Sequence, residues 1–483
     1  MPYLAKLEKA GIPTVLIDYE DQHEMVKQES LAAGVPNLRF LSASRVLPGP
    51  EDVERLIEPL MNELIRPLTE KEKEGGMHRP NTERIIFEGT LLEAEDFFNQ
   101  TQFVPAPLNA PINVYTDGLP VVLPTEERVA AMLKGTSHKP DELITYQSAR
   151  KGFGGYFQKG DVVKFAPRGW TATVEQVAVN AVMAGCKPEY FPAVLAIAES
   201  TCPTGTTVFN NQFICISGPF AEEIGMNSGV GLMGPGNQAN SALGRVYQLM
   251  ALNLGGSIPG INRMSSLGAP INRCGLAFAE CADKLPDGWK GLNEQYDFDK
   301  NESVAWVMIC EGGLTGAQFS PGGYRSLQRS GHGGMARKLG VKGVPGPHNW
   351  LDWLLPDIWK GEREGPRAWV MTHEMAKHLW EIGFKTKEDV LEYIWKKSFE
   401  PMKDFRNRSW VDLTTNGWLG VEPISGKPWK ELPDDYMVPV GGDSPDESTI
   451  IVIGSDEEIC YQFPGSFRGI WASNPMYSID AWR

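Results

Sequence analysis

The chain has 483 residues and a formal net charge of −15. An acidic surface repels nucleic acids and anionic lipid headgroups, so neither is expected as a partner. The sequence has no apolar run of eighteen residues, and its first ten residues lack the apolar segment of a secretory signal. These features favour a cytoplasmic protein that does not contact the membrane, with more than one domain at this length.

The seven cysteines are an odd number, are widely spaced and form no CxxC pair. In a chain without a secretory signal, this pattern favours reduced thiols over a disulfide framework. No cluster of Cys and His has the spacing of a structural zinc site.

The first seventy residues have an α/β pattern. Residues 13–18 and 38–43 are short apolar runs typical of buried parallel strands. Helices are predicted at residues 3–10, 23–33 and 50–68, with a kink or break at Pro59. We therefore expect residues 1–70 to form an incomplete doubly wound, flavodoxin-like half-domain that lacks its leading strand.

Residues 71–124 are rich in Pro and Asn and are predicted to be a linker with some structure, including a strand at 85–92. A larger α/β domain is predicted for residues 125–483, beginning at Thr125 as a helix N-cap. Its predicted helices cover residues 171–186, 188–200, 241–254 and 387–397, and its predicted strands cover 213–217, 276–279, 303–310 and 449–453. The Gly-rich residues 311–347 are expected to form a long loop, and the sequence reveals no internal repeat.

A glycine-rich loop at residues 227–240 leads directly into a helix and could bind an anion or an oxyanion through exposed N–H groups. Its candidate binding residues are Asn227, Ser228, Gly234, Gly236, Asn237 and Asn240. The alternative is a tight turn in which Asn240 or Ser241 caps the helix. The loop has neither the GxGxxG nor the P-loop spacing, so it carries no nucleotide-cofactor signature.

Three candidate catalytic residues surround the predicted strand 276–279, namely Cys274, Glu280 and Cys281. A carboxylate at the end of a buried strand is a candidate acid or base, because partial burial raises its pKa towards neutrality. The alternative for Glu280 is a carboxylate that caps the next turn. Since neighbouring residues of an extended segment face opposite sides, only one of Glu280 and Cys281 can face a given pocket.

Two further candidates lie in turns. Cys202 is surrounded by hydroxyl residues, where a thiol can be activated as a thiolate; the alternative is an inert thiol. His332 lies between glycines, in a loop that could bring its imidazole over a pocket.

Several long motifs, in order along the chain, resemble those of the bacterial UGSC thiol/selenol family. They include residues 172–196 (ATVEQVAVNAVMAGCKPEYFPAVLA), 227–245 (NSGVGLMGPGNQANSALGR), 253–260 (NLGGSIPG) and 278–283 (FAECAD), followed by the helical stretch 373–400. The resemblance covers residues 125 to 483 apart from insertions, and it implies an enzyme fold. Two departures concern the substrate: Glu280 to Asp283 replace an Asn-Glu-Glu run, and residues 311–347 have no counterpart in the family.

The first seventy residues also resemble the UGSC-type domain from its first helix onward. In that family, a Cys or selenocysteine motif precedes this helix, and here the chain begins after that point. The resemblance implies either a small subunit that supplies the missing strand and the reactive Cys, or a domain that has become a docking module. A homo-oligomer is the remaining option for the quaternary structure.

The leading hypothesis is an enzyme that cleaves, hydrates or reduces a carbon–heteroatom or unsaturated bond of a small polar or anionic molecule at a thiol/carboxylate site. A second hypothesis is a metal-dependent lyase or hydratase, in which Glu280, Asp283, His332 and a cysteine hold one ion. A third is a non-catalytic scaffold subunit of a hetero-oligomeric enzyme. Apart from the metal ion of the second hypothesis, the cofactor is unknown.

Overall fold

A computed structural model describes most of the chain. The described residues are 2–32, 34–43, 50–73, 83–105, 108–152, 155–204, 210–263, 275–311, 318–320, 351, 367–408, 421–422, 424–455, 460–464 and 476–483. The architecture is α/β, with helices packed on small sheets. No helix in these ranges is long and apolar enough to cross a membrane.

The N-terminal unit is built around two parallel strands. Its elements are α1 (Pro2–Lys9), β1 (Val15–Tyr19), α2 (His23–Ala32), β2 (Arg39–Ala43), α3 (Pro50–Ile65) and α4 (Glu70–Lys73). Strands β1 and β2 pair in parallel, and α3 contacts both of them. The predicted order of helices and strands is confirmed. Of the two alternatives predicted for Pro59, the break is wrong because α3 continues through this residue, and the kink stays a prediction.

The segment that follows contains more regular structure than the predicted linker. Beyond α4, residues 71–124 contain α5 (Leu91–Phe98) and the antiparallel pair β3 (Thr101–Val104) and β4 (Ala110–Asn113). The larger unit begins with α6 (Glu126–Met132) and the antiparallel pair β5 (Arg150–Gly152) and β6 (Gly155–Phe157). The strand predicted at residues 85–92 is wrong. A capping box between Thr90 and Glu93 starts α5 at Leu91 instead. Thr125 caps α6 as predicted.

Two four-stranded sheets form the centre of the larger unit. Its remaining elements are α7 (Val174–Ala184), α8 (Phe191–Ala198), β7 (Asn210–Ser217), α9 (Phe220–Glu223), α10 (Gln238–Asn253), β8 (Leu276–Ala279), α11 (Leu292–Gln295), β9 (Val304–Glu311), β10 (Gln318–Ser320), β11 (Arg367–Thr372), α12 (His373–Glu381), α13 (Lys387–Lys397), β12 (Phe399–Pro401), α14 (Met402–Arg408), β13 (Met437–Pro439), β14 (Thr449–Ile453), β15 (Cys460–Pro464) and β16 (Met476–Ser478). The strand orders are β16-β9-β7-β8 and β10-β15-β11-β14.

The two sheets have the same topology, which the sequence did not reveal. In each, the first strand pairs in parallel with the second and antiparallel with the third, as in β7 with β8 and β9, and in β11 with β14 and β15. The strand that follows the third one in the chain joins the opposite sheet: β10 pairs with β15, and β16 pairs with β9. Each half of this unit therefore completes the sheet of the other.

The layers are helix, sheet, sheet, helix. Phe213, Trp306, Val370 and Phe463 are buried between the two sheets. The outer face of the first sheet packs on α7, α8 and α10, and the outer face of the second packs on α12 and α13. Strand β7 is buried on both faces, so its apolar residues form the continuous run that predicted it.

The N-terminal unit contacts the larger unit through a buried ion pair. Arg168 in the larger unit donates a hydrogen bond to Glu29 of α2 over 3.0 Å. Both side chains are largely shielded from solvent. Burial raises the pKa of Glu29, and the nearby Arg168 opposes that rise.

Candidate functional site

Three predicted segments converge near the end of β8. Residues Glu280 and Cys281 follow this strand directly. The amide of Cys281 donates to the carbonyl of Val452 in β14 over 2.9 Å. The amide of Gly454 donates to the carbonyl of Ser228 over 2.6 Å. The end of β8, the end of β14 and the start of the glycine-rich loop 227–240 therefore meet, and we call this meeting point the Cys281 junction.

The Cys281 thiol lies at the centre of the junction and is only 6% exposed. It donates a hydrogen bond to Oδ1 of Asp283 over 3.0 Å. Burial raises the pKa of this thiol to about 11, and the hydrogen bond to Asp283 adds to the rise. A hydrogen bond with the Ser228 side chain and the charge of Lys284 oppose it. Cys281 is therefore a protonated thiol at neutral pH, with a carboxylate, a hydroxyl and an ammonium group beside it.

Gly454 makes this close approach possible. A Cβ atom at this position would lie 2.8 Å from Sγ of Cys281 and 3.2 Å from the carbonyl oxygen of Ser228. The carbonyl of Gly454 accepts a hydrogen bond from Nζ of Lys284 over 3.1 Å. The glycine after the late strand thus provides the space for the thiol, and it also anchors the neighbouring lysine.

Glu280 contacts a different set of partners. Its Oε2 accepts hydrogen bonds from Oγ of Ser217 over 2.7 Å and from the amide of Leu292 over 2.6 Å. Its Oε1 accepts from Nζ of Lys387 over 3.0 Å, and both charged side chains are 0% exposed. Glu280 therefore binds the start of α11, whose first residue is Leu292, whereas the capping alternative concerned the turn directly after Glu280. The predicted acid/base role of Glu280 stays a prediction.

The asparagines of the loop 227–240 hold the loop together. Oδ1 of Asn227 accepts from the amide of Gly229, and Nδ2 of Asn240 donates to the carbonyls of Asn227 and Leu232. Asn237 is the N-cap of α10, so the alternative cap at Asn240 or Ser241 is wrong. The helix begins three residues earlier than predicted for this reason. The predicted anion-binding role of these residues stays a prediction.

The two candidate glycines of this loop have backbone roles. The amide of Gly234 donates to the carbonyl of Gly231 over 2.8 Å, which closes a turn. Gly236 has a φ of 122°, a conformation that side chains disfavour, so this glycine is needed for the turn into α10. Ser228 is the candidate of this loop that reaches the Cys281 thiol.

Cys202 is fully buried, and it is not part of the Cys281 junction. Burial raises the pKa of its thiol to about 12, although a hydrogen bond from Ser200 lowers it. Thr201 and Cys202 both adopt positive φ angles, of 64° and 45°, which strains the backbone. The raised pKa opposes thiolate formation, so the local environment favours the inert thiol. Cys274 and His332 lie outside the described residues.

A buried carboxyl group near Cys202 in the chain was missed by sequence reasoning. Glu199 is 0% exposed and accepts hydrogen bonds from Nε1 of Trp482 over 2.6 Å and from the amide of Gln147 over 2.9 Å. Burial raises its pKa to about 7, against the charge of Arg150. The signal in the sequence was a glutamate at the end of the wholly apolar helix α8.

Lys387 was also missed as a partner of Glu280. It is the first residue of α13, where the sequence pattern predicted only an amphipathic helix. Its position 107 residues from Glu280 gives no local signal. In the described part of the chain, no group of three or more His, Cys, Asp or Glu side chains is arranged to hold a metal ion.

The side chains of Cys186, Cys202, Cys215, Cys281 and Cys460 are free thiols. No protein-family model, no curated protein and no solved structure matches this chain.

Proposed function

We propose that this chain is an enzyme that acts on a small polar or anionic molecule and uses the thiol of Cys281 as a proton donor. The observation that carries the proposal is the convergence of Cys281, Asp283 and Ser228, which come from two segments singled out by their sequence. Lys284 adds a positive charge beside them, which offsets the negative charge of the Asp283 carboxylate. The proposed reaction class is cleavage or hydration of a carbon–heteroatom bond.

The raised pKa of the thiol decides its proposed role. A thiol with a pKa of about 11 contains little thiolate at neutral pH, so it is a poor ground-state nucleophile. It is instead a suitable acid for a leaving heteroatom whose own pKa is higher. Asp283 accepts the S–H hydrogen bond in the resting state and would fix the direction of the proton. In the reverse direction, the same groups would support addition of water.

The test uses the wild-type protein, a small-molecule extract and mass spectrometry to find the compounds that the protein consumes. We expect Cys281→Ser and Asp283→Asn to lower the rate of consumption by about 10²-fold, the usual contribution of a positioned acid. Cys186→Ser is the matched control, because Cys186 lies outside the junction. Full consumption by Cys281→Ser would overturn the proposal.

A second candidate function is that the N-terminal unit binds a small protein subunit. Apolar side chains on its surface support it: Ile17 of β1 is 49% exposed, and Ile57 and Ile65 of α3 are 52% and 72% exposed. A two-stranded sheet is marginal alone, and a third strand would complete a flavodoxin-like half-domain. Native mass spectrometry of protein purified from its host should reveal a co-purifying small subunit. A lone chain or a homo-oligomer would contradict this candidate.

A further inference from the structure

A second group of polar side chains lies at the carboxyl edge of the N-terminal sheet. Asp18 of β1 and Ser42 of β2 are directly opposite each other in the parallel register. His23 begins α2, one short 3-10 turn after β1 ends. In open α/β sheets, ligands bind outside the carboxyl ends of parallel strands, which is where these three side chains meet.

The geometry around Asp18 is closely defined. Its Oδ2 lies 2.6 Å from Nδ1 of His23, and its Oδ1 accepts a hydrogen bond from Oγ of Ser42 over 2.7 Å. The Asp18 side chain is 1% exposed, whereas that of His23 is 30% exposed. The ring of His23 also packs edge-on against Phe40, at 5.1 Å between ring centroids. The carboxylate is therefore buried behind an imidazole that faces solvent.

This arrangement fixes which ring nitrogen is basic. A carboxylate at Nδ1 keeps the proton on that nitrogen in the neutral ring and leaves a lone pair on Nε2. In the described part of the chain, Nε2 of His23 has no hydrogen-bond partner. The same carboxylate supports the imidazolium after Nε2 has taken a proton.

His138 provides a comparison within the same molecule. Its Nδ1 also has a carboxylate partner, Glu142, at 2.8 Å. Its Nε2, however, lies 3.1 Å from the carbonyl oxygen of Ala481. A histidine that serves only to balance a carboxylate or to join segments can have both nitrogens occupied, as His138 does. His23 differs from His138 at Nε2, which is the atom that would accept the proton.

We infer that His23, oriented by Asp18, is a general base that removes a proton from a small molecule with an activated C–H or O–H group at this edge. In the C–H case, the proton moves to Nε2 and the electron pair of the C–H bond forms a π bond as a leaving group departs. The imidazolium then returns its proton to water. This site is distinct from the Cys281 junction, and the inference does not rest on the proposed function.

The probe is 5-nitrobenzisoxazole, which opens when a base removes the proton of the C–H group at position 3 of its isoxazole ring. The C–H electron pair forms a nitrile, the N–O bond breaks and a coloured phenolate is released, so no other reactant is needed. We expect His23→Gln to lower the protein-catalysed rate by about 10²-fold and Asp18→Asn to lower it less. His138→Gln is the matched control and should retain the wild-type rate. Equal rates for His23→Gln and His138→Gln would overturn the inference.

A measurement on the wild-type chain covers the case in which the variants fail to fold. Diethyl pyrocarbonate acylates an unprotonated imidazole nitrogen, forms an N–C bond and releases carbon dioxide and ethanol. Peptide mass spectrometry at neutral pH gives the rate at each histidine. We expect His23 to react at least about 10-fold faster than His138, because the lone pair on Nε2 of His23 is free to attack the reagent. Faster or equal reaction at His138 would overturn the inference.

Discussion

The N-terminal sheet and the first sheet of the larger unit each place a buried carboxylate at a strand end, with opposite consequences. Asp18 is paired with a histidine that is 30% exposed, so the pair has a side open to solvent. Glu280 is paired with Lys387, and both side chains are 0% exposed. A closed pair of charges is expected to act in folding and in positioning its neighbours. An open pair can exchange a proton with a ligand, so exposure distinguishes the two regions more clearly than the residue types do.

The largest expected effect is on the closed pair. Lys387→Met should leave Glu280 charged and unpaired in the interior, which costs about 3–5 kcal/mol of unfolding free energy. Urea unfolding followed by circular dichroism measures this loss. The double variant Lys387→Met with Glu280→Gln should recover most of it, because the amide oxygen still accepts from Ser217 and Leu292 and no charge is left unpaired. The control Lys396→Met, at a side chain 63% exposed, should change stability by less than about 0.5 kcal/mol.

If Lys387→Met and Lys396→Met unfolded at the same urea concentration, the closed pair would contribute nothing to folding. The contrast with the open pair at His23 would then lose its basis.

A second buried carboxyl group should make stability depend on pH. Burial raises the pKa of Glu199 from 4.5 when unfolded to about 7 when folded. The folded state therefore holds the proton more tightly, so this contribution is complete below about pH 4.5 and is lost as pH rises through about 7. The loss amounts to roughly 3 kcal/mol at most. Thermal unfolding between pH 4.5 and 8 measures it.

Glu199→Gln should remove this part of the pH dependence, because its side chain has no proton to lose in this range. The exposed Glu127→Gln is the control and should follow the wild-type curve. A wild-type protein whose stability rises between pH 4.5 and 8, with no difference in Glu199→Gln, would contradict the assignment.

A smaller effect is expected at Gly454. In Gly454→Ala, the new methyl group would lie 2.8 Å from Sγ of Cys281, so the thiol or the loop must move. Overpacking of this kind costs about 1–3 kcal/mol. Gly229→Ala is the control, since its Cβ would meet only Oδ1 of Asn227 at an ordinary 3.7 Å. Differential scanning calorimetry should give a lower melting temperature for Gly454→Ala alone; equal values would mean that the junction has spare room.

The sequence predicted local structure well wherever one segment decides it. The capping residue Thr125 and the apolar run of β14 define their elements within a few neighbouring residues. The strand at residues 85–92 was wrong because its apolar pattern competed with a capping box at Thr90. A capping box provides two hydrogen bonds at the helix start, and an apolar run has no counterpart to them.

Features that depend on distant pairing could not be predicted. Strands β10 and β16 each pair with a strand of the opposite half, far away in the chain. The sequence of a short strand contains little information about which strand it will pair with. The pairing of Glu280 with Lys387 is of the same kind. Ser228 was selected because it lies in a glycine-rich loop, and Cys281 because it lies beside a predicted strand. Only the fold brings these two residues together.

The most direct test of the proposed proton donor is the pH dependence of Cys281 alkylation by iodoacetamide, followed by peptide mass spectrometry on the folded protein. Because the pKa of this thiol is raised to about 11, the rate should rise about tenfold per pH unit from pH 7 to 10 without reaching a plateau. Asp283→Asn should react faster at each pH, since Asp283 helps to raise that pKa. A plateau below pH 8 in the wild-type protein would identify a thiolate at neutral pH and contradict the role of Cys281 as a proton donor.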